Sequence, residues 1–210
     1  MLVKMLSNIH QKILGHPFFY DHIRPLIVGG QDVTPVYDRI QINKDDVVLD
    51  VGCSTGVFFD YCQEFQEYHG LDLDTVALDV CRGVTEKLEL SNCHFHSEIL
   101  TNDLVQQIQP TKVMLGGILH FLNDDEIHSL MQALLSSSRL EGVVSYDAAY
   151  YKGKYINNLY AYATRGKHNR VPHGYTDLIS SHAFDIKEEF HVTTGNGAMT
   201  LFCMHFRPKK

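Results

Sequence analysis

Ten residues constrain this chain more than any others: VVLDVGCSTG, from Val47 to Gly56. An apolar run, Val47-Val48-Leu49, ends in the acid Asp50, and Val51, a glycine, two small residues, Thr55 and a second glycine follow. Beyond Gly56 the residues Val57, Phe58, Tyr61, Cys62 and Phe65 recur at helical spacing. A buried strand, a tight turn of small residues and a helix N-terminus, in that order, are the local layout of a nucleotide-type cofactor site in an open α/β sheet.

The rest of the chain supplies such a sheet. Tyr68 to Leu73 and His94 to Ile99 read as strands, with a helix over Thr75 to Leu88 between them. A weak helix around Asp103 to Ile108 leads into a strand at Lys112 to Gly116. Asn123-Asp124-Asp125-Glu126 is an acid-rich helix start before Ile127, Leu130, Met131, Leu134 and Leu135, and Glu141 to Asp147 is the next strand. Alternation of this kind implies a parallel sheet with helices on both faces. The ending differs: Phe184 to Thr193 and Met199 to Phe206 read as strands joined by Thr194-Gly195-Asn196-Gly197, a hairpin signal. The predicted fold is α/β: a doubly wound, mostly parallel seven-stranded sheet with an antiparallel C-terminal hairpin and helices on both faces. Before the sheet, helices are expected over Met1 to Leu14, around Phe19 to Ile27, and at Thr34 to Ile40. With 210 residues and no internal repeat or linker, a single domain over 1–210 is expected.

Composition narrows the partners. A formal net charge of −7 works against a nucleic-acid surface, which needs clustered Lys and Arg. The five cysteines are scattered and lack C-x-x-C spacing, so they read as reduced thiols, neither staples nor a zinc site. No apolar run approaches membrane-spanning length. The opening MLVKMLSNIHQKIL is broken by Lys4, Asn8 and Lys12 and reads as an amphipathic helix and not as a signal peptide. A cytoplasmic protein that binds neither nucleic acid nor membrane is expected.

The glycines then discriminate between cofactors. A dinucleotide fingerprint, G-x-G-x-x-G, brings backbone against a pyrophosphate. Here the spacing is G-x-x-x-G, from Gly52 to Gly56, and Asp50 at the strand end would repel a pyrophosphate. A cofactor with an ammonium group and no phosphate suits these residues better. At this point the chain resembles the class I S-adenosylmethionine-dependent methyltransferases, whose first motif reads hydrophobic strand, Asp, apolar, Gly, small, x, x, Gly. The resemblance covers roughly Val47 to Asp147. It implies S-adenosylmethionine as cofactor and S-adenosylhomocysteine as product, held in the first turn by Asp50, Gly52, Cys53, Ser54 and Gly56.

Ligands in such sheets sit beyond the carboxyl ends of the central strands. Asp72 stands 20 residues after Gly52, the interval at which an acid can accept from both ribose hydroxyls. Asp74 is the alternative, although its place before a helical run suits an N-cap better. The resemblance further implies Leu73 among the cofactor contacts, Glu98 and Ile99 at the adenine, and the backbone of Leu115 and Gly116 at the cofactor ammonium. It also implies an N-terminal helical lid within 1–40, closing through Tyr20 with His16 and Phe19.

The reaction is narrowed by what is missing. An N/D-P-P-Y/F/W motif would fall at Gly116 to Leu119 and is absent, as is the Pro-Cys nucleophile of cytosine C5 enzymes. Strand four ends Leu-Gly-Gly, so only Asp147 remains for a catechol-type magnesium site, and no metal is expected. The pairs His94/His96 and His168/His173 lack a helix-face metal spacing and read as ordinary surface or strand histidines. The expected reaction is metal-independent, direct displacement onto an oxygen or nitrogen of a small-molecule acceptor. His120 and Asp147 are the candidate catalytic groups, both at the rim of one cleft. A substrate-side insertion is expected over 148–176, where Tyr150, Tyr151, Arg165 and Arg170 are the candidates for acceptor contact and the basic residues favour an acidic acceptor. Two rivals stand beside this reading: a non-catalytic module binding S-adenosylmethionine or S-adenosylhomocysteine, and an NAD-dependent oxidoreductase, which the glycine spacing disfavours. Monomer and homodimer are both open.

Overall fold

The computed structural model describes residues 32–164, 166–195 and 197–209. The helices expected over Met1 to Leu14 and Phe19 to Ile27, with the lid residue Tyr20, lie outside the described residues, as does Arg165. The elements are α1 (Thr34–Ile40), β1 (Val47–Val51), β2 (Glu67–Leu71), α2 (Thr75–Lys87), β3 (Cys93–His96), α3 (Asn102–Ile108), β4 (Lys112–Gly116), α4 (Asp124–Leu134), β5 (Gly142–Ala148), α5 (Tyr155–Ala163), α6 (Pro172–Ser180), β6 (Phe184–Thr193) and β7 (Thr200–Pro208). Among the described residues no helix is long and apolar enough to cross a membrane.

The seven strands lie in the order β3-β2-β1-β4-β5-β7-β6, the first five parallel and β7 antiparallel to both neighbours. This is the doubly wound sheet with a C-terminal hairpin that the alternating patterns predict. The chain runs outward from β1 to β3, then returns to the far side of β1 with β4. Strand order therefore reverses between β1 and β4, which opens a crevice at their carboxyl ends. Register deepens it: β4 pairs with β1 only as far as Met114 against Asp50, while Leu115 and Gly116 pair with β5 alone.

Both faces of the sheet are covered, which is why the central strands read as apolar runs and not as alternating ones. Val47, Leu49, Leu71, Val113, Leu115 and Val143 pack with residues of α3, α4 and α6. Val48, Tyr68, Met114, Val144 and Leu201 pack on the other side with α1 and α2. Helix α4 starts where the acid-rich stretch predicts. Asn123 Oδ1 accepts from the Glu126 backbone N–H at 2.9 Å, while Glu126 Oε2 accepts from that of Asn123 at 2.8 Å. This reciprocal box satisfies two orphan donors.

One expected element is absent. The helix predicted beyond Gly56 is a single 3-10 turn, Val57–Asp60. Strand β2 begins at Glu67, opposite Val47, so residues 57–66 must return along the whole of β1. That path is roughly 16 Å for a five-residue strand. An α-helix over 57–66 would rise about 15 Å and leave no residues to turn at either end. The apolar spacing that looks helical serves an aromatic cluster instead: the Phe58 ring lies 5.5 Å from that of Phe59 and 4.8 Å from that of Tyr68, with Phe65 against all three.

Candidate functional site

The turn after β1 is held open by left-handed backbone at Gly52 (φ 80°), Ser54 (φ 49°) and Gly56 (φ 87°). The N–H groups of Gly52 and Cys53 both donate to the Leu71 carbonyl, at 2.7 and 3.0 Å, tying the turn to the end of β2. A Cβ on Gly56 would come within 2.8 Å of Cys81 Sγ on α2, so that glycine is also required by close packing. The neighbouring acids divide their work. Asp72 Oδ2 accepts from the Ser54 N–H and its Oδ1 from the Asp74 N–H, both at 2.9 Å, which fixes the carboxylate beside the turn. Asp74 caps α2 by accepting from the N–H groups of Val76 and Ala77.

Asp50 is buried beneath the turn. Burial pushes its carboxyl up to about 7; the hydroxyl of Tyr68, donating to Oδ2 at 2.9 Å, pulls against that rise, and the Asp72 charge adds to it. Among the described residues no cation contributes to holding it ionised. It lines a recess together with Gly52, Cys53, Ser54, Val57 and Phe58. Met114, Gly116, Tyr146 and Tyr37 complete the lining. Gly116 is glycine because a Cβ there would stand 2.5 Å from the Tyr146 hydroxyl oxygen. Burial, with Asp50 nearby, raises both phenols well above the usual tyrosine range.

Sequence reasoning missed Tyr37 and Tyr146. Strand alternation could have found Tyr146, since on β5 it must face opposite Asp147. No motif marks Tyr37. Around the recess, Leu73 and Ile99 follow β2 and β3 with 67% and 68% of their surface exposed, bare apolar side chains at the carboxyl edge of the sheet. Strand β3 ends at His96, so Glu98 and Ile99 lie past the strand and not within it. The side chain of Leu115 is in the core, which leaves only its backbone available to a ligand.

His120 and Asp147 meet, but not as expected. His120 Nδ1 lies 2.9 Å from Asp147 Oδ1, and the His120 backbone N–H donates to the same oxygen at 3.1 Å. Burial raises Asp147 while these bonds oppose the rise. The pair is not at a cleft rim: His120 is 6% and Asp147 1% exposed. The His168 N–H donates to the His120 carbonyl at 3.0 Å, and Gly166 packs so closely on the ring that a Cβ would overlap it. Asp147 Oδ2 is buried with no hydrogen-bond partner among the described residues.

The insertion also departs from expectation. The Arg170 guanidinium donates to the carbonyls of Leu119, His168 and Leu122 at 3.2, 2.9 and 3.0 Å and pairs with Asp124 at 2.5 Å. It clamps the turn that carries His120 and is not free for an acceptor. The adjacent tyrosines part company: Tyr150 packs with the recess-side cluster, Tyr151 with the opposite one, its ring 5.6 Å from that of His191. Of the four acceptor candidates only Tyr150 faces the recess side among the described residues.

Residues 48–142 match the family described as a methyltransferase domain. A protein named probable cobalt-precorrin-6B C(15)-methyltransferase (decarboxylating), from Methanocaldococcus jannaschii, is 22% identical over 175 residues, covering 80% of this chain and 87% of its own. Among solved structures, a SAM-dependent methyltransferase from Aquifex aeolicus superposes with a TM-score of 0.63 at 13% identity, over 94% of this chain and 96% of that one. Magnesium protoporphyrin IX methyltransferase from Synechocystis, with bound SAH, gives 0.60 at 15% identity, over 83% and 78%. The two solved structures share this fold.

Proposed function

We propose that this chain, an S-adenosylmethionine-dependent methyltransferase of the class I fold, methylates an oxygen or nitrogen of a small-molecule acceptor by direct displacement. The observation that carries this reading is Asp50: a buried carboxyl lifted to about 7, under a left-handed glycine turn, at the point where strand order reverses. Such a group fits an ammonium ligand, which would restore its charge. Asp72 fits a pair of ribose hydroxyls, and Leu73 and Ile99 fit the two sides of a flat ring. The backbone at Leu115 and Gly116 fits the ammonium. When bound, the cofactor supplies a methyl group already activated by a positively charged sulfur.

The chain's own residues have little covalent chemistry to do. The walls at Tyr37, Phe58 and Tyr146 exclude water, and holding an acceptor in line supplies most of the acceleration. If the acceptor is a hydroxyl, Asp147 fixes the His120 proton on Nδ1 and leaves Nε2 to take the acceptor's proton. For that step the cover at Gly166 and His168 has to shift.

Titration calorimetry tests the reading. S-adenosylhomocysteine is expected to bind at micromolar concentration and NAD not at all; failure to bind either S-adenosyl compound overturns it. Asp72→Ala should weaken that binding by about 2 kcal/mol through loss of two charge-assisted hydrogen bonds. Asp74→Ala should leave affinity alone and cost about 1 kcal/mol of stability as a lost cap. A second reading, a binding module without turnover, draws on the burial of His120 and Asp147. Labelled-methyl transfer over an acceptor panel separates the two. The panel includes cobalt-precorrin and magnesium protoporphyrin, the compounds named for two of the similar proteins.

A further inference from the structure

A second cluster of chemistry-bearing side chains lies on the edge strand β3 and its neighbour β2, on the face opposite the recess. Glu67 and His69 alternate along β2, His94 and His96 along β3, and register sets His69 opposite His94 and Leu71 opposite His96. Alternate strand residues share a face, so all four point the same way. Glu67 Oε1 lies 2.9 Å from His94 Nε2, and Glu67 Oε2 lies 3.5 Å from His69 Nε2. One ligand atom from each of these three residues falls within 4.8 Å of the others.

The other nitrogens are arranged behind them. His69 Nδ1 is 3.1 Å from His96 Nε2, and His96 Nδ1 is 3.8 Å from Glu98 Oε1. The His69 ring stacks at 4.9 Å on His94 and 5.3 Å on His96. His69 is only 8% exposed, and its Nε2 faces the Glu67 carboxylate at 3.5 Å with no closer hydrogen-bond partner among the described residues. Two imidazole nitrogens facing one carboxylate form a donor set that a cation can bridge.

We propose that Glu67, His69 and His94 bind a divalent transition-metal ion of the zinc type, clipping the edge strand β3 to β2. Zinc takes nitrogen and oxygen ligands at about 2.0–2.2 Å, which spaces tetrahedral donors roughly 3.4 Å apart. The carboxylate–imidazole separations, 2.9 Å from Oε1 and 3.5 Å from Oε2, are close to that spacing, and the three ligand atoms lie within 4.8 Å of one another. Two imidazoles and one carboxylate select zinc, cobalt or nickel over magnesium and calcium, which prefer all-oxygen sites. His96 is a positioning residue: by accepting a hydrogen bond from the His69 Nδ1–H it turns the Nε2 lone pair toward the ion. Glu67 and His94 are partly exposed, so the fourth position opens to solvent and the ion has a path in. The sequence reading overlooked the site because it looked for ligand pairs on a helix face, whereas a strand puts i and i+2 together.

The test uses the full chain stripped of metal with a chelator, titrated calorimetrically with zinc, and loaded with cobalt(II) for visible spectroscopy. One ion per chain is expected, with the intense cobalt absorption of a tetrahedral site and a rise in Tm. His94→Gln changes an exposed position and Glu67→Gln a half-buried one without altering chain length, and in folded variants, checked by circular dichroism, each should abolish the cobalt signature and the Tm rise. His96→Gln should keep the stoichiometry and weaken affinity about 10–100-fold. No binding by the parent chain overturns the proposal. So does zinc affinity unchanged in His94→Gln and Glu67→Gln, which would assign the ion to other surface histidines. Neither result bears on S-adenosylhomocysteine binding, which is measured separately.

Discussion

Asp50 sets stability against use. Its ordinary value is 3.8, and in the folded chain it rises to about 7. The native state therefore holds this proton more tightly than the unfolded state does. The resulting contribution to stability is whole below about pH 4 and is lost as pH climbs through about 7. Asp50→Asn removes that loss, so the variant should melt above the parent at pH 8, with the gap narrowing at pH 5 and closing only near pH 4 in thermal scans. The same variant should bind S-adenosylhomocysteine more weakly, because an amide cannot answer an ammonium. In the parent, affinity should fall as pH drops below about 7 and the carboxyl takes up its proton. A gain in stability joined to a loss in binding is the mark of a residue kept for its ligand. Asp50 and Asp72 are legible in sequence because a strand end and a glycine turn are local features. Tyr146, across the sheet from Asp50, needs the strand register.

Connections decide more than elements do in this chain. The five parallel strands, α2, α3 and α4 stand within a few residues of where periodicity and capping residues put them. The 3-10 turn at Val57–Asp60 does not, since the length of the return to β2 overrides local helical spacing. Arg170 is a similar case: its sequence context, a basic loop, suggests an anion binder, while its fork of donors closes on three carbonyls. Lysine has no such fork. Arg170→Lys should therefore cost roughly 1–3 kcal/mol in urea unfolding despite keeping the charge. The Asp124 pair contributes little of this, being largely solvent-exposed on the acid's side. A variant of unchanged stability with weakened acceptor binding would return Arg170 to the acceptor site.

At the scale of the molecule, one sheet separates two cores, and the recess is a gap in only one of them. Phe58 joins recess and core: it lines the first and packs in the second against Tyr37, Phe59, Phe65 and Tyr68. Phe58→Ala should destabilise by about 3–5 kcal/mol with an unchanged urea m-value, as a cavity in one cooperative unit does. The sequence by itself determined the α/β class, the hairpin ending and the cofactor turn, because periodicity, glycine spacing and caps act over a few residues. Tertiary structure decided which distant side chains meet: Tyr37 and Tyr146 at the recess, His120 with Asp147 under a loop, and His69 of β2 with His94 and His96 of the edge strand β3. Those meetings depend on strand order, register and face, set by pairing between segments far apart in the chain. A one-residue shift in any of those registers would send the side chains to opposite sides of the sheet.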